Sequence, residues 1–418
     1  MTEDAATVAA SSHDELLDAA MYSAAGRRDP YVFLHELVGR DAFYVRDDGR
    51  SFVFGYRECV AALRSKSFLK HGEHASSTSS TFTPEQENTL GCERPDAAGM
   101  LSSIDDPDHV RLRRLVSLVF TPKEIGQYVE LITATLDEQL ALLERHEPVD
   151  LVTTLHSQIP SQVVGHLIGL PLPDRDLFAR LAALQSLGRD PDATFEVQLI
   201  AVRARREMYE YVADLIENER SDPGDTPVGR LIRLEQHGEQ ISHSELISLV
   251  ATVYSAGYGT TVRMLGNGAV ALLSNPNQAS FLRSNPEHTR RVTDELLRYD
   301  TPVMTVGYFA DDSATIGDTR LEPGSLCTII IGAANHDPRA FEAPDILDVT
   351  LQRSESPLSF GFGIHYCLGQ ALARLEGDIV FSEMTRRFPK MVLAEEPERQ
   401  DTFRARAFTR IPVVLEPS

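Results

Sequence analysis

The sequence predicts a mainly α-helical fold with a small β region. Three observations carry this. Apolar residues recur at helical spacing from His109 to about Arg220, and again along the stretch that begins at Ser242. Strand signals are confined to short segments near 43–54, 305–331 and 403–415. The one linker-like turn, Ser221 to Pro227, is followed at once by renewed helical pattern, so it reads as a surface loop.

Taken in order, Met1 to Asp29 is Ala-rich with acidic residues and lacks a continuous apolar stretch, so neither signal peptide nor anchor is expected. Phe43–Arg46 and Ser51–Phe54 flank Asp48-Gly49 and read as a hairpin. The polar stretch from His71 to Met100 is too long for a simple connector and reads as a functional loop. Pro122, Gly169-Leu170-Pro171 and Pro191 punctuate the helical region that follows. Ser242 and Glu245 form a capping box, after which Leu246, Leu249, Val250, Val253, Gly257, Thr260 and Met264 share helical spacing. Asn285-Pro286 opens a further helix that Pro302 closes. Strands are expected at Ala314–Ile316 and Leu326–Ile331, then a long helix from Cys367 and a strand-and-turn C-terminus.

Composition narrows the function. Hydrophobic residues at 42% and charged residues at 24% are ordinary for a globular protein. A net charge of −22 argues against a nucleic-acid partner, while leaving room for a local basic patch that docks an acidic redox protein. No apolar run approaches the roughly 20 residues of a membrane helix, so a cytoplasmic protein without membrane contact is expected. The four cysteines show neither a CxxC pair nor zinc spacing; Cys59, Cys92 and Cys327 read as buried free thiols.

Cys367 differs by its surroundings, Ser359-Phe360-Gly361-Phe362-Gly363-Ile364-His365-Tyr366-Cys367-Leu368-Gly369. Gly361 and Gly363 allow positive φ and let the chain lie against a flat ligand. Phe360 can shield the sulfur, and a helix start favours thiolate. That suits a metal ligand, a nucleophile or a redox thiol alike, and a lone cysteine before a helix is more often structural.

The segment resembles the haem-binding loop of the cytochrome P450 family, F-x-x-G-x-x-x-C-x-G, with Phe360, Gly363, Cys367 and Gly369 in the fixed places and Ala371 following. The resemblance implies that Cys367 is the axial thiolate of haem b (iron protoporphyrin IX), with Phe360, Gly361 and Gly369 around the cofactor. Glu295 and Arg298, which alone would read as a surface ion pair, resemble the family's buried E-x-x-R lock. Phe341–Pro344 and Asp348 resemble the segment that completes this lock, and Asn335-His336-Asp337-Pro338 matches the family's usual wording. His109 and Arg113 occupy the H-x-x-x-R positions that hold a haem propionate, as does His365. The family's R-x-A arginine is replaced by Tyr308, which offers one neutral hydrogen bond and no charge.

Ala256-Gly257-Tyr258-Gly259-Thr260-Thr261 resembles the oxygen-activating [AG]-G-x-[DE]-T-T stretch, with Thr260 as the hydroxyl that supports dioxygen activation. Two glycines inside a helix cost up to about 1 kcal/mol each, and either close packing or an opening above the iron is a reason. The family's acid is Gly259 here. Either ordered water with another side chain or a substrate hydroxyl would then supply the proton, or the reaction is an uncommon one that depends less on that relay.

The resemblance implies a triangular helical prism around a buried haem, with residues 1–28 as an N-terminal extension and 29–418 as a single domain. It further implies a monomeric monooxygenase that uses O2 and electrons from a ferredoxin and its ferredoxin reductase. Such an enzyme would hydroxylate or epoxidise a lipophilic secondary-metabolite intermediate. The substrate pocket is expected from the 71–100 loop, Val253 to Thr260, Val303, Met304, Val306 and Ala407-Phe408. Gly259 favours a rival chemistry that is peroxide-driven, dehydrating or oxidatively coupling. A non-catalytic helper is the remaining rival, and retention of Cys367 speaks against it.

Overall fold

A computed structural model describes residues 11–70, 82–93, 99–143, 148–238 and 241–415. Helix α1 (His13–Tyr22) is opened by a capping box between Ser12 and Glu15. It buries Leu16, Leu17, Ala20 and Met21 against Leu34 and Leu37 of α2 (Tyr31–Arg40), with Phe52, Phe54 and Met304 in the same cluster. From His13 the chain packs on the body, because this helix covers apolar side chains of α2 and the sheet.

The hairpin forms as expected, β1 (Phe43–Val45) against β2 (Ser51–Val53), with Gly49 at φ +83° in its turn. With β3 (Phe68–Leu69), β4 (Val149–Asp150), β5 (Thr305–Ala310), β6 (Leu326–Ile330), β7 (Met391–Leu393) and β8 (Pro412–Leu415), it builds two sheets. The larger has the order β1-β2-β6-β5-β3; the smaller sets β8 between β4 and β7. In the larger sheet β2 runs parallel to β6, Ser51 beside Cys327, and β5 runs antiparallel to it, Tyr308 beside Cys327.

Within the stretch read as a loop lies helix α3 (Pro84–Glu93). Thr83 and Gln86 cap it reciprocally, a signal present in the sequence but set among polar residues. Next come α4 (Asp108–Ser117), α5 (Gln158–Leu167), α6 (Arg175–Leu187), α7 (Phe195–Glu219), α8 (His243–Ser274), α9 (Thr289–Tyr299) and α10 (Gln370–Arg387). Ser242 and Glu245 cap α8 as expected. Leu246, Leu249, Val250, Tyr254, Met264 and Leu265 bury α8, and α5, α6, α7, α9 and α10 all pack on it. The main core is the shell around this one helix. Helix α10 starts at Gln370, three residues later than expected, because Cys367 is held in the preceding loop by its amide bond to the Phe360 carbonyl (2.9 Å). Cys59 and Cys327 are buried thiols, but Cys92 is exposed near the end of α3. No helix among the described residues is long and apolar enough to cross a membrane.

Candidate active site

The loop before α10 is shaped by two glycines in the left-handed region, Gly361 at φ +71° and Gly363 at φ +70°. At Gly363 a side chain is excluded twice over, since a Cβ there would lie 2.1 Å from the Leu63 carbonyl oxygen. The result is a sulfur surrounded by donors. Burial pushes the Cys367 thiol up, while the amides of Gly369 and Gln370 and the charges of Arg113 and Arg374 pull it down. Arg113 is fixed by its bond to the Tyr366 carbonyl at 2.6 Å. The Arg374 guanidinium lies 4.4 Å from the centre of the Phe360 ring.

Cys367 opens onto a cavity of about 360 Å³ between the cysteine loop and α8. Val253, Ala256, Gly257 and Thr260 line it from α8, Val303 and Val306 from the segment entering β5, and His109, Arg113, His365, Tyr308 and Lys70 gather along it. His109 Nδ1 and His365 Nε2 are buried without a hydrogen-bond partner, and the two rings are 4.2 Å apart. Apolar walls, one thiol, and orphaned donors beside cations fit a flat apolar macrocycle with a metal at its centre and carboxylates at its edge.

The comparisons with known proteins agree with this geometry. Residues 200–413 match the family model described as Cytochrome P450. The chain is 35% identical to the polyketide biosynthesis cytochrome P450 PksS of Bacillus subtilis (strain 168), across 74% of this chain and 76% of that one. The chain belongs to the cytochrome P450 family. It is also 33% identical to a vitamin D(3) 25-hydroxylase of Pseudonocardia autotrophica, across 76% of this chain and 78% of the relative. The solved structure of P450BioI with hexadec-9Z-enoic acid ligated acyl carrier protein superposes with a TM-score of 0.83 at 28% identity, covering 93% and 99% of the two chains. This P450 is thus an oxidoreductase of the monooxygenase class, with a haem cofactor, redox partners and a small-molecule substrate.

Two pocket residues expected from the sequence lie elsewhere. Met304 is fully buried in the N-terminal cluster, its Sδ 3.8 Å from Tyr31 Oη, because neighbours on an extended chain point to opposite faces and Val303 takes the cavity side. Phe408 is buried in the main core under the Arg399 guanidinium at 4.0 Å and does not line the cavity. Most of the expected 71–100 lining lies outside the described residues; beyond it Leu101 and Ser102 contribute.

Lys70 was not singled out from the sequence. Its Nζ sits 3.3 Å from the centre of the Tyr308 ring and donates to the Gly307 carbonyl at 2.9 Å. The cation missing at position 308 is thus brought to the same place by the end of β3. Burial, then the charge of Arg404, depresses Lys70 to about 7. A carboxylate beside it would restore its charge. Tyr308 is itself pushed up, chiefly by burial.

On α8 the glycines separate in role. A Cβ on Gly257 would press to 3.0 Å from Val164 of α5, so this glycine serves close packing. The atoms nearest a Cβ on Gly259 would be those of the Arg263 guanidinium, at 3.6–3.9 Å, which is ordinary contact. The Thr260 hydroxyl donates to the Ala256 carbonyl at 2.6 Å. The sequence also gave no sign of Glu376, a buried cavity-lining acid of α10 that burial raises to about 8 against a bond from Thr261.

Glu295 and Arg298 are 4% and 1% exposed, not a surface pair. Arg298 donates to both carboxylate oxygens at 2.8 and 2.9 Å, and Arg353 donates to the same two at 2.7 and 2.8 Å. Burial pushes Glu295 up, but these two guanidiniums win and hold it below its ordinary value. The 341–348 segment takes part through its backbone, the Asp348 amide donating to Glu295 at 3.2 Å and the Pro344 and Ile346 carbonyls accepting from Arg298 at 2.7 and 3.3 Å, while Arg353 is a member that the sequence reading did not name.

Proposed function

We propose that this P450 binds haem b through the Cys367 thiolate and monooxygenates a lipophilic small molecule of secondary metabolism. The carrying observation is Cys367, held by Gly369 and Gln370 amides at the floor of an apolar cavity along which His109 Nδ1 and His365 Nε2 are buried without a hydrogen-bond partner. His109, Arg113, His365 and Lys70 would hold the propionates. Haem bound here supplies dioxygen activation and oxygen insertion. The protein's own part is to donate electron density from Cys367, to exclude water with Val253, Val303 and Val306, and to hold a proton at Thr260 Oγ once it turns from the Ala256 carbonyl. Electrons would come from a ferredoxin and its reductase, and the polyketide relative supports a biosynthetic substrate.

Cys367→Ala should abolish the thiolate-type spectrum of the reduced carbonyl complex, and an unchanged spectrum would refute the assignment. Gly259 favours a second reading, peroxide-driven oxidation, because no carboxylate stands at that turn of α8. Oxygen and NAD(P)H consumption with surrogate ferredoxins separates the two: product formed only with added peroxide overturns the monooxygenase.

A further inference from the structure

Two imidazoles and a carboxylate from distant parts of the chain converge on one point beside α2. His35 Nε2 lies 2.7 Å from Asp345 Oδ1, His336 Nδ1 lies 3.2 Å from the same oxygen, and the two ring nitrogens are 3.4 Å apart. His35 belongs to α2, and His336 follows the one-turn helix Ile331–Ala334 after β6. Asp345 stands in a turn that the Ile346 amide closes on the Ala343 carbonyl at 3.1 Å. None of the three lines the cavity at Cys367, and among the described residues they are the one His, Cys, Asp or Glu group whose ligand atoms converge this way.

The tautomer of His336 decides what these atoms require. Its Nε2 lies 3.0 Å from the Tyr299 carbonyl, which can only accept, so Nε2 carries the proton and Nδ1 of the neutral ring is a bare lone pair. That lone pair faces a carboxylate oxygen, a second acceptor. The single hydrogen on His35 Nε2 serves Asp345 at 2.7 Å and is too far from Nδ1, at 3.4 Å, to serve both well. Two acceptors in contact call for a cation between them, and His336 is 3% exposed and stacked on Tyr31 at 4.2 Å, away from water that could supply the missing donor.

A tetrahedral zinc bound at 2.0–2.1 Å sets its ligand atoms about 3.3 Å apart. Two of the three separations already match, and the His35–Asp345 contact needs to open by about 0.6 Å. Those two side chains are 33% and 54% exposed, so they have room to move and water can take the fourth position. The Tyr299 carbonyl behind His336 is the outer partner that orients a metal-bound imidazole.

We propose that His35, His336 and Asp345 bind a first-row divalent cation, zinc foremost, and that the ion clamps α2 onto the segments that hold Arg298. The Asn335 carbonyl, one residue before His336, and the Pro344 and Ile346 carbonyls on either side of Asp345 all accept from Arg298. An ion at this point therefore ties the N-terminal part of the chain to the backbone of the Glu295 lock. Two nitrogens and one oxygen suit zinc over magnesium or calcium, which take oxygen ligands.

The test uses tag-free, haem-loaded protein, stripped with a chelator and titrated with Zn2+ by calorimetry. One zinc per chain should bind with a dissociation constant of about 10 μM or tighter. His35→Gln and Asp345→Asn, both at partly exposed positions, should each weaken binding at least about tenfold; if one of them fails to take up haem, the other decides alone. His243→Gln, an exposed histidine near Glu217 and Glu235, and Cys92→Ser, an exposed thiol, should leave the affinity unchanged. Amide hydrogen exchange along α2 should slow when zinc is bound. The absence of saturable one-to-one binding, an affinity that a ligand substitution leaves intact or a control substitution abolishes, or α2 exchange indifferent to zinc overturns the proposal.

Discussion

Gly363 shows what one position can demand: positive φ and a backbone carbonyl in the space of its missing side chain. Gly363→Ala should therefore prevent the loop from closing, read as loss of haem incorporation during expression. Lys70 makes the opposite point, a cation supplied from an unexpected strand. Lys70→Met should speed transfer of haem to an acceptor apoprotein by about tenfold, as expected for loss of one charge-assisted contact. An unchanged rate would remove Lys70 from the propionate site. Glu376 keeps its proton to about pH 8 against an ordinary value of 4.5, so the folded chain binds the extra proton between those values. Its contribution to stability falls as pH rises through that window, with a slope approaching about 1.4 kcal/mol per unit. Glu376→Gln should flatten this fall in denaturant unfolding measured from about pH 5 to 8.

Among elements, α9 carries the strongest packing constraint. Its Glu295 binds two arginines while nearly free of solvent, so removal of the acid leaves two buried cations facing each other. Glu295→Ala should cost about 3–5 kcal/mol in unfolding, whereas a surface pair would cost under about 1 kcal/mol. Helix α8 meets two different neighbours at its glycines: Val164 of α5, closely, at Gly257, and the guanidinium of its own Arg263, at ordinary contact distance, at Gly259. Both glycines were visible in the sequence, but the reason for Gly257 was not, since it depends on what another helix places opposite.

For the whole molecule, deletion of residues 1–28 tests how far the body extends. Leu16, Leu17 and Met21 are buried against α2 and the sheet. Their loss should lower stability by about 5 kcal/mol or more, read in the thermal midpoint. A truncated protein of unchanged stability would support a domain boundary at residue 28. The helical body, the hairpin and the capped α8 were legible because their signals are local: periodicity, turn residues and caps. Helix α3 was missed because its cap sits in polar sequence without an apolar stripe.

By itself the sequence determined the helix-rich class, the spacing of the cysteine loop and the family that this spacing marks, since each depends on residues close together in the chain. Only the tertiary structure decided that Arg353 belongs to the Glu295 lock, that Met304 and Phe408 face away from the cavity, and that Lys70 covers Tyr308. These contacts join positions tens to hundreds of residues apart. Their energies depend on burial and on the charge opposite, neither of which a linear pattern records.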